Sequence, residues 1–189
     1  MTIHSHVASI QAVLTDTFAA LDAWFEAPAD LRRYRPADGG WTVNEILEHT
    51  ALTNHFLLVL IRKGARKALQ QASTADLSAG LTAYSFQTEK LAEVGVLNSF
   101  SWIRPEHMEP TGTRPLSEVR QQLRQQLTEC LQLLADLKNG EGVLYKTTMS
   151  VNGLGKITVY EYLYFLAQHG RRHLMQVAEN ETEFMQHRQ

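Results

Sequence analysis

Two histidines, His169 and His173, stand four residues apart in the run Tyr162-Leu163-Tyr164-Phe165-Leu166-Ala167-Gln168-His169-Gly170-Arg171-Arg172-His173-Leu174-Met175-Gln176. In a helix, residues at that spacing lie one above the other on one face. Tyr162, Leu166, His169, His173 and Gln176 then form a single stripe. Its upstream end is apolar, so the stripe faces a core and carries two imidazoles inward. Two imidazoles on one helical face are a common way to hold a transition metal. A hydrogen-bonded pair of core histidines gives the same spacing, and the spacing alone leaves both readings open.

A catalytic zinc-type site takes three protein ligands and keeps a position for water or substrate. The third donor has several candidates: His49, His55, His107 and nearby carboxylates. Geometry favours His49, which lies ~10 Å from the start of its helix at about 1.5 Å per residue. The midpoint of His169 and His173 lies a similar distance from the end of its own helix. If the two helices are antiparallel neighbours, three imidazoles meet at one level. His55 lies roughly 9 Å farther along and faces another way. His107, in a proline-flanked loop, is the runner-up. His169-Gly170-Arg171-Arg172-His173 lacks the glutamate of a His-Glu-x-x-His zinc helix. No histidine has a glutamate three residues before it, which counts against a di-iron carboxylate bundle.

Four other residues enter as candidates. Glu45 lies one turn before His49 on the same face, so it can serve as an acid or base or support a ligand. Its helix-capping role already explains it, and catalysis is the minority reading. Gln176 can hydrogen-bond a ligand or substrate, or be a plain structural polar residue. Arg172 points about 100° away from His173 around the helix. A surface or interface salt bridge is its favoured reading, with anchoring of an anionic thiol as the alternative. Cys130, the lone cysteine, reads as a buried thiol on an apolar helical face. Tyr162 and Phe165 read as core.

The elements that must position these residues follow from periodicity. Ile10, Val13, Leu14, Phe18, Leu21 and Phe25 recur at helical spacing and predict a first helix from His6 to Glu26, ended by Pro28. Arg32, Arg33 and Arg35 then fall in a solvated loop. A second helix runs from Val43 to Leu69. Thr42 and Glu45 have capping-box spacing at its start, with Trp41 and Ile46 at the staple positions. Residues 71–112 are too long for a structureless hairpin connection, and Leu77, Leu81, Leu91 and Val94 suggest a short helix or two. A third helix begins near Pro115 and ends before Asn139-Gly140. The run 147–155 is a connection. Its Gly153-Leu154-Gly155-Lys156 is read as a turn, because Ile157 and Ser150 break the phosphate-loop pattern. The fourth helix starts at a second capping box, Thr158 and Glu161, with Ile157 and Tyr162 as the staple, and continues to Glu179. Four helical patterns and no credible alternating strand predict an all-α four-helix bundle with a long crossover between helices 2 and 3.

With 189 residues, 44% hydrophobic, the chain can bury one sizeable core, and a single domain over 1–189 is expected. A net charge of -2 gives no basic footprint for nucleic acid. The first 31 residues hold no Lys or Arg, so no signal peptide is expected. The longest apolar run, Phe56 to Ile61, is too short to span a bilayer. A cytoplasmic protein is the default expectation.

Trp41-Thr42-x-x-Glu45-Ile46-Leu47-x-His49 resembles the second-helix signature of the DinB/YfiT-like metalloprotein superfamily. Tyr160-Glu161-x-Leu163-x-Phe165-x-x-x-His169-x-x-Arg172-His173-x-x-Gln176 resembles its fourth helix. Pro105-Glu106-His107-Met108-Glu109-Pro110-x-Gly112 resembles its crossover, and Gly155-x-Ile157-Thr158 the approach to helix 4. The likeness covers nearly the whole chain. It implies up-down-down-up connectivity, a homodimer, and a divalent metal, nickel or zinc, held by His49, His169 and His173. Iron or manganese would also suit the site. Characterised relatives include thiol-dependent S-transferases and a thiol-dependent isomerase. The resemblance therefore implies a small-molecule substrate and a low-molecular-weight thiol as co-substrate. Metal-dependent hydrolysis and a non-catalytic helical dimer are the alternatives.

Overall fold

Two capping boxes fix where the longest helices begin. In the computed structural model, which describes residues 2–102 and 105–188, Thr42 Oγ1 accepts from Glu45 N at 3.2 Å, and Glu45 Oε2 accepts from Thr42 N at 2.8 Å. Thr158 Oγ1 accepts from Glu161 N at 3.3 Å, and Glu161 Oε2 accepts from Thr158 N at 2.7 Å. Each box satisfies two backbone donors that a helix start leaves unpaired. The helices that follow are α3, Val43–Ala72, and α7, Val159–Gln186. Thr158 and Glu161 are buried, so the N–H groups they satisfy have no water to turn to. Thr158→Ala is expected to destabilise the protein by about 1 kcal/mol in a denaturant titration. No change would mean that this cap does not hold the helix start.

The other elements are α1 (Ile3–Ala23), α2 (Ala29–Arg33), α4 (Leu77–Thr82), α5 (Thr88–Ala92) and α6 (Leu116–Asp136). The fold is all-α in class. Trp41 lies against the His49 ring, at 4.6 Å between centroids, so it serves the site. Thr2 caps α1 ahead of the predicted start, and its last predicted turn, Trp24–Glu26, is a 3-10 turn. Arg32 and Arg33 belong to α2 rather than a loop, and their Nε atoms donate to the Ala27 and Ala29 carbonyls. Pro115 is the N-cap of α6 rather than its first helical residue.

One expectation fails. Two strands, β1 (Lys146–Met149) and β2 (Gly155–Thr158), pair antiparallel from Lys146↔Thr158 to Met149↔Gly155. Between them Asn152 and Gly153 take left-handed conformations, so the glycine-rich run is a hairpin turn. Strands of four residues are too short for period-2 alternation to register against background. Their inward residues, Met149 and Ile157, are buried under the end of the bundle.

Side-chain contacts fix how the long helices run past one another. Gly64 of α3 faces Val159 at the start of α7, while the Trp41 carbonyl before α3 accepts from Asn180 near the end of α7. These two helices are therefore antiparallel. The Ala51 carbonyl of α3 accepts from Gln122 and Gln126 of α6, and Arg62 pairs with Glu129, so that pair is parallel. Helices α1 and α6 are antiparallel, with Asp22 meeting Arg120 and Ile3 facing Gly140. Leu14, Ile46, Leu47, Leu58, Leu134 and Phe165 fill the space between them.

Asp22 takes two bonds from Arg120, at 2.9 and 2.8 Å, and two from Arg124, both 2.9 Å. The Arg120 bonds chiefly, and Arg124 next, hold its carboxyl well below the usual carboxylate range. A lowered folded-state pKa stabilises above the unfolded value and is lost as pH falls through it. Asp22→Asn is expected to lose about 1 kcal/mol at pH 7 and to show a shallower acid limb below about pH 4. Identical acid limbs in the two proteins would contradict this.

Candidate metal centre

His49 of α3 and His169 and His173 of α7 come together, each offering one ring nitrogen within 4.8 Å of the others. The antiparallel pairing of α3 and α7 brings them to one level. All three are buried, at 5%, 3% and 6% relative exposure.

Their hydrogen bonds decide which nitrogen faces the cluster. His49 Nδ1 lies 2.7 Å from the Met108 carbonyl oxygen. A carbonyl can only accept, so Nδ1 carries the proton and Nε2 presents a lone pair. His173 Nδ1 likewise donates to Gln176 Oε1 at 3.1 Å, leaving its Nε2 as an acceptor. His169 Nε2 stands 3.1 Å from His173 Nε2. Thr53 Oγ1 reaches His49 Nε2 at 3.4 Å. Anchoring the distal nitrogen to a carbonyl or amide is how proteins orient metal-binding imidazoles.

Burial, followed by the neighbouring His173, His49 and Arg172, pushes His169 well below the ordinary histidine range. It is therefore neutral, the state in which imidazole binds a metal. Two Nε2 lone pairs at 3.1 Å need a proton or a cation between them. His169 Nδ1 has no hydrogen-bond partner although it is buried. The donor set is three imidazoles, joined among the described residues by no carboxylate or thiolate, and it could hold a metal ion.

The other candidates lie elsewhere. His55 is exposed and packs on its neighbour Phe56. His107, also exposed, stacks edge-on against the same ring at 4.5 Å. Glu45 is held in the capping box and pairs with Arg35 at 2.7 Å. Burial works against its charge, but the bonds from Arg35 and Thr42 prevail and hold its carboxyl below the ordinary range. Arg172 donates to the Val96 carbonyl at 2.8 Å, and its guanidinium lies 5.2 Å above the Trp102 ring. It fastens the crossover to α7. Tyr162 and Phe165 are core, as expected, and Cys130 is buried with its thiol pushed up to about 12 by burial.

Three contributors carried little signal in the sequence. The Met108 carbonyl is a backbone group, which no residue pattern announces. Trp102 packs beside His169, at 5.8 Å between ring centroids, from a loop without periodicity. Glu48 is a buried acidic residue next to His49 and directly after Ile46-Leu47. A charge at a core-facing position was the sign that could have singled it out.

A helical bundle enclosing three convergent, buried imidazoles is an arrangement that could hold a metal ion. The chain belongs to the DinB superfamily, whose model matches residues 10–177. No curated protein and no solved structure matches it. Among the described residues, no helix is long and apolar enough to cross a membrane.

Proposed function

We propose that this chain is a metal-dependent enzyme acting on small molecules, with nickel or zinc at His49, His169 and His173. Thiol-dependent S-transfer is the reaction we favour, followed by hydrolysis. One observation carries the reading. Among the described residues, no further histidine, cysteine or carboxylate joins the three-imidazole group. Structural zinc sites are closed by a fourth protein ligand, and catalytic ones are not.

A divalent ion bound by three neutral ligands would lower the pKa of a bound water or thiol and polarise an electrophile. The protein's own groups supply the rest. The Met108 carbonyl and Gln176 hold two imidazoles with their Nε2 lone pairs inward. Burial keeps His169 neutral and limits competing water at all three. Arg172 adds positive potential beside His169, which favours an anionic thiol. Gln176 acts by orienting His173, and Glu45, ionised in its cap, by holding the start of α3. A homodimer, implied by the family resemblance, belongs to the same proposal.

The low exposure of the three histidines favours a second reading, a structural metal in a non-catalytic bundle. Cobalt substitution separates the two. Titrating cobalt-loaded protein with a small thiol is expected to produce a thiolate-to-metal charge-transfer band. An unchanged spectrum at saturating thiol would favour the structural metal.

A further inference from the structure

The crossover between α3 and α6 is held at one buried carboxylate. Glu48, 2% exposed, accepts from Thr111 N at 3.0 Å and Thr111 Oγ1 at 2.9 Å through Oε1. Its Oε2 accepts from Gly112 N at 2.9 Å. Three donors are enough to satisfy a buried carboxylate, and all three come from the same two residues of the crossover. The backbone there is shaped for close approach. Gly112 has φ +69, and a Cβ on it would stand 3.2 Å from Glu45 Oε1. A few residues upstream, the same segment presents the Met108 carbonyl to His49 Nδ1. Glu48 and His49 are adjacent on α3. One helix thus holds the strap with one side chain and is oriented by it through the next.

We propose that Glu48 is a positioning residue for the metal centre. Its clamp on Thr111 and Gly112 sets the Met108 carbonyl, and that carbonyl holds His49 in the Nδ1–H form with the Nε2 lone pair toward the cluster. The effect on metal affinity rests on the three-histidine reading given above; the effect on the His49 tautomer does not. Without the clamp, the segment keeps the ring contact of His107 with Phe56 but loses the three hydrogen bonds that fix its backbone on α3, and the carbonyl can drift from the ring. His49 then samples the opposite tautomer, with its proton on the nitrogen that should bind.

Glu48→Gln tests this, because an amide offers one acceptor oxygen where the carboxylate offers two. Thr111→Val removes the hydroxyl donor alone and serves if the first variant does not fold. Imidazole nitrogen NMR of the metal-free proteins reads the tautomer, and titration with zinc or nickel reads the affinity. In wild type, His49 is expected as the Nδ1–H form. In Glu48→Gln it is expected as a mixture, with metal affinity reduced about tenfold. His173, whose Nδ1 is held by Gln176, should not change in either variant and is the internal control. A purely structural role would lower stability and leave the His49 tautomer as it was. An unchanged tautomer in folded Glu48→Gln, or in Thr111→Val if the first does not fold, would overturn the proposal. If wild type binds neither metal, the three-histidine reading fails, and the tautomer comparison still decides the role of Glu48.

Discussion

His173→Ala and His49→Ala are each expected to reduce metal content from near one ion per chain to a small fraction of that, with helix content unchanged. Three imidazoles converge on one point, and removing any one leaves two. His169 and His173 share α7 and are pre-aligned by helix geometry, so His49→Ala loses the bridge to α3. His173→Ala breaks the intrahelical pair and frees Gln176 from its bond. A ligand lost from such a site costs the metal much of its binding energy. Neither change cuts a hydrophobic contact of the size that holds the bundle. Beyond the lost contacts to Met108, Trp41 and Gln176, the structural effect should appear through metal linkage. A metal at a thousand times its Kd stabilises the folded state by roughly 4 kcal/mol. Chelator is expected to lower the unfolding temperature of wild type and leave that of both variants in place. Equal metal content in wild type and both variants would sink the ligand assignment.

Gly142→Ala is expected to destabilise the protein by about 3 kcal/mol. A Cβ at Gly142 would stand 2.8 Å from two atoms of the Tyr160 ring and 3.1 Å from a third. Tyr160 is fully buried at the start of α7. Its hydroxyl donates to the Leu137 carbonyl and accepts from Gly142 N at 3.3 Å. The ring is pinned at its far end and packed on all sides, so it cannot turn away. Either the 3-10 turn Glu141–Val143 lifts off, or Tyr160 gives up both bonds. A denaturant titration reads the loss, and a change within about 0.5 kcal/mol would show that the turn can shift freely.

The parts of this structure legible in the sequence are those where side-chain chemistry repeats or pairs locally. The Thr-x-x-Glu boxes placed α3 and α7 because both partners lie within one helical turn. The His169 and His173 spacing showed the imidazole pair because helix geometry fixes that relation. His49 followed from matching levels along antiparallel helices. The rest depended on relations that are not local. The hairpin at 146–158 is stabilised by two short strands pairing with each other and docking Met149 and Ile157, and four residues cannot display that. Arg172 reads from its spacing as a surface cation, yet it reaches the Val96 carbonyl across 76 residues of sequence. The support of His49 comes from a carbonyl 59 residues away, set in place by a loop without periodicity.

The most direct measurement is elemental analysis of protein purified without an affinity tag or chelator, beside His169→Ala. Near one nickel or zinc per chain in wild type, lost in the variant, is the expected result. Protein that takes up neither metal on reconstitution, or a His169→Ala variant that keeps its full complement, would contradict the three-histidine centre.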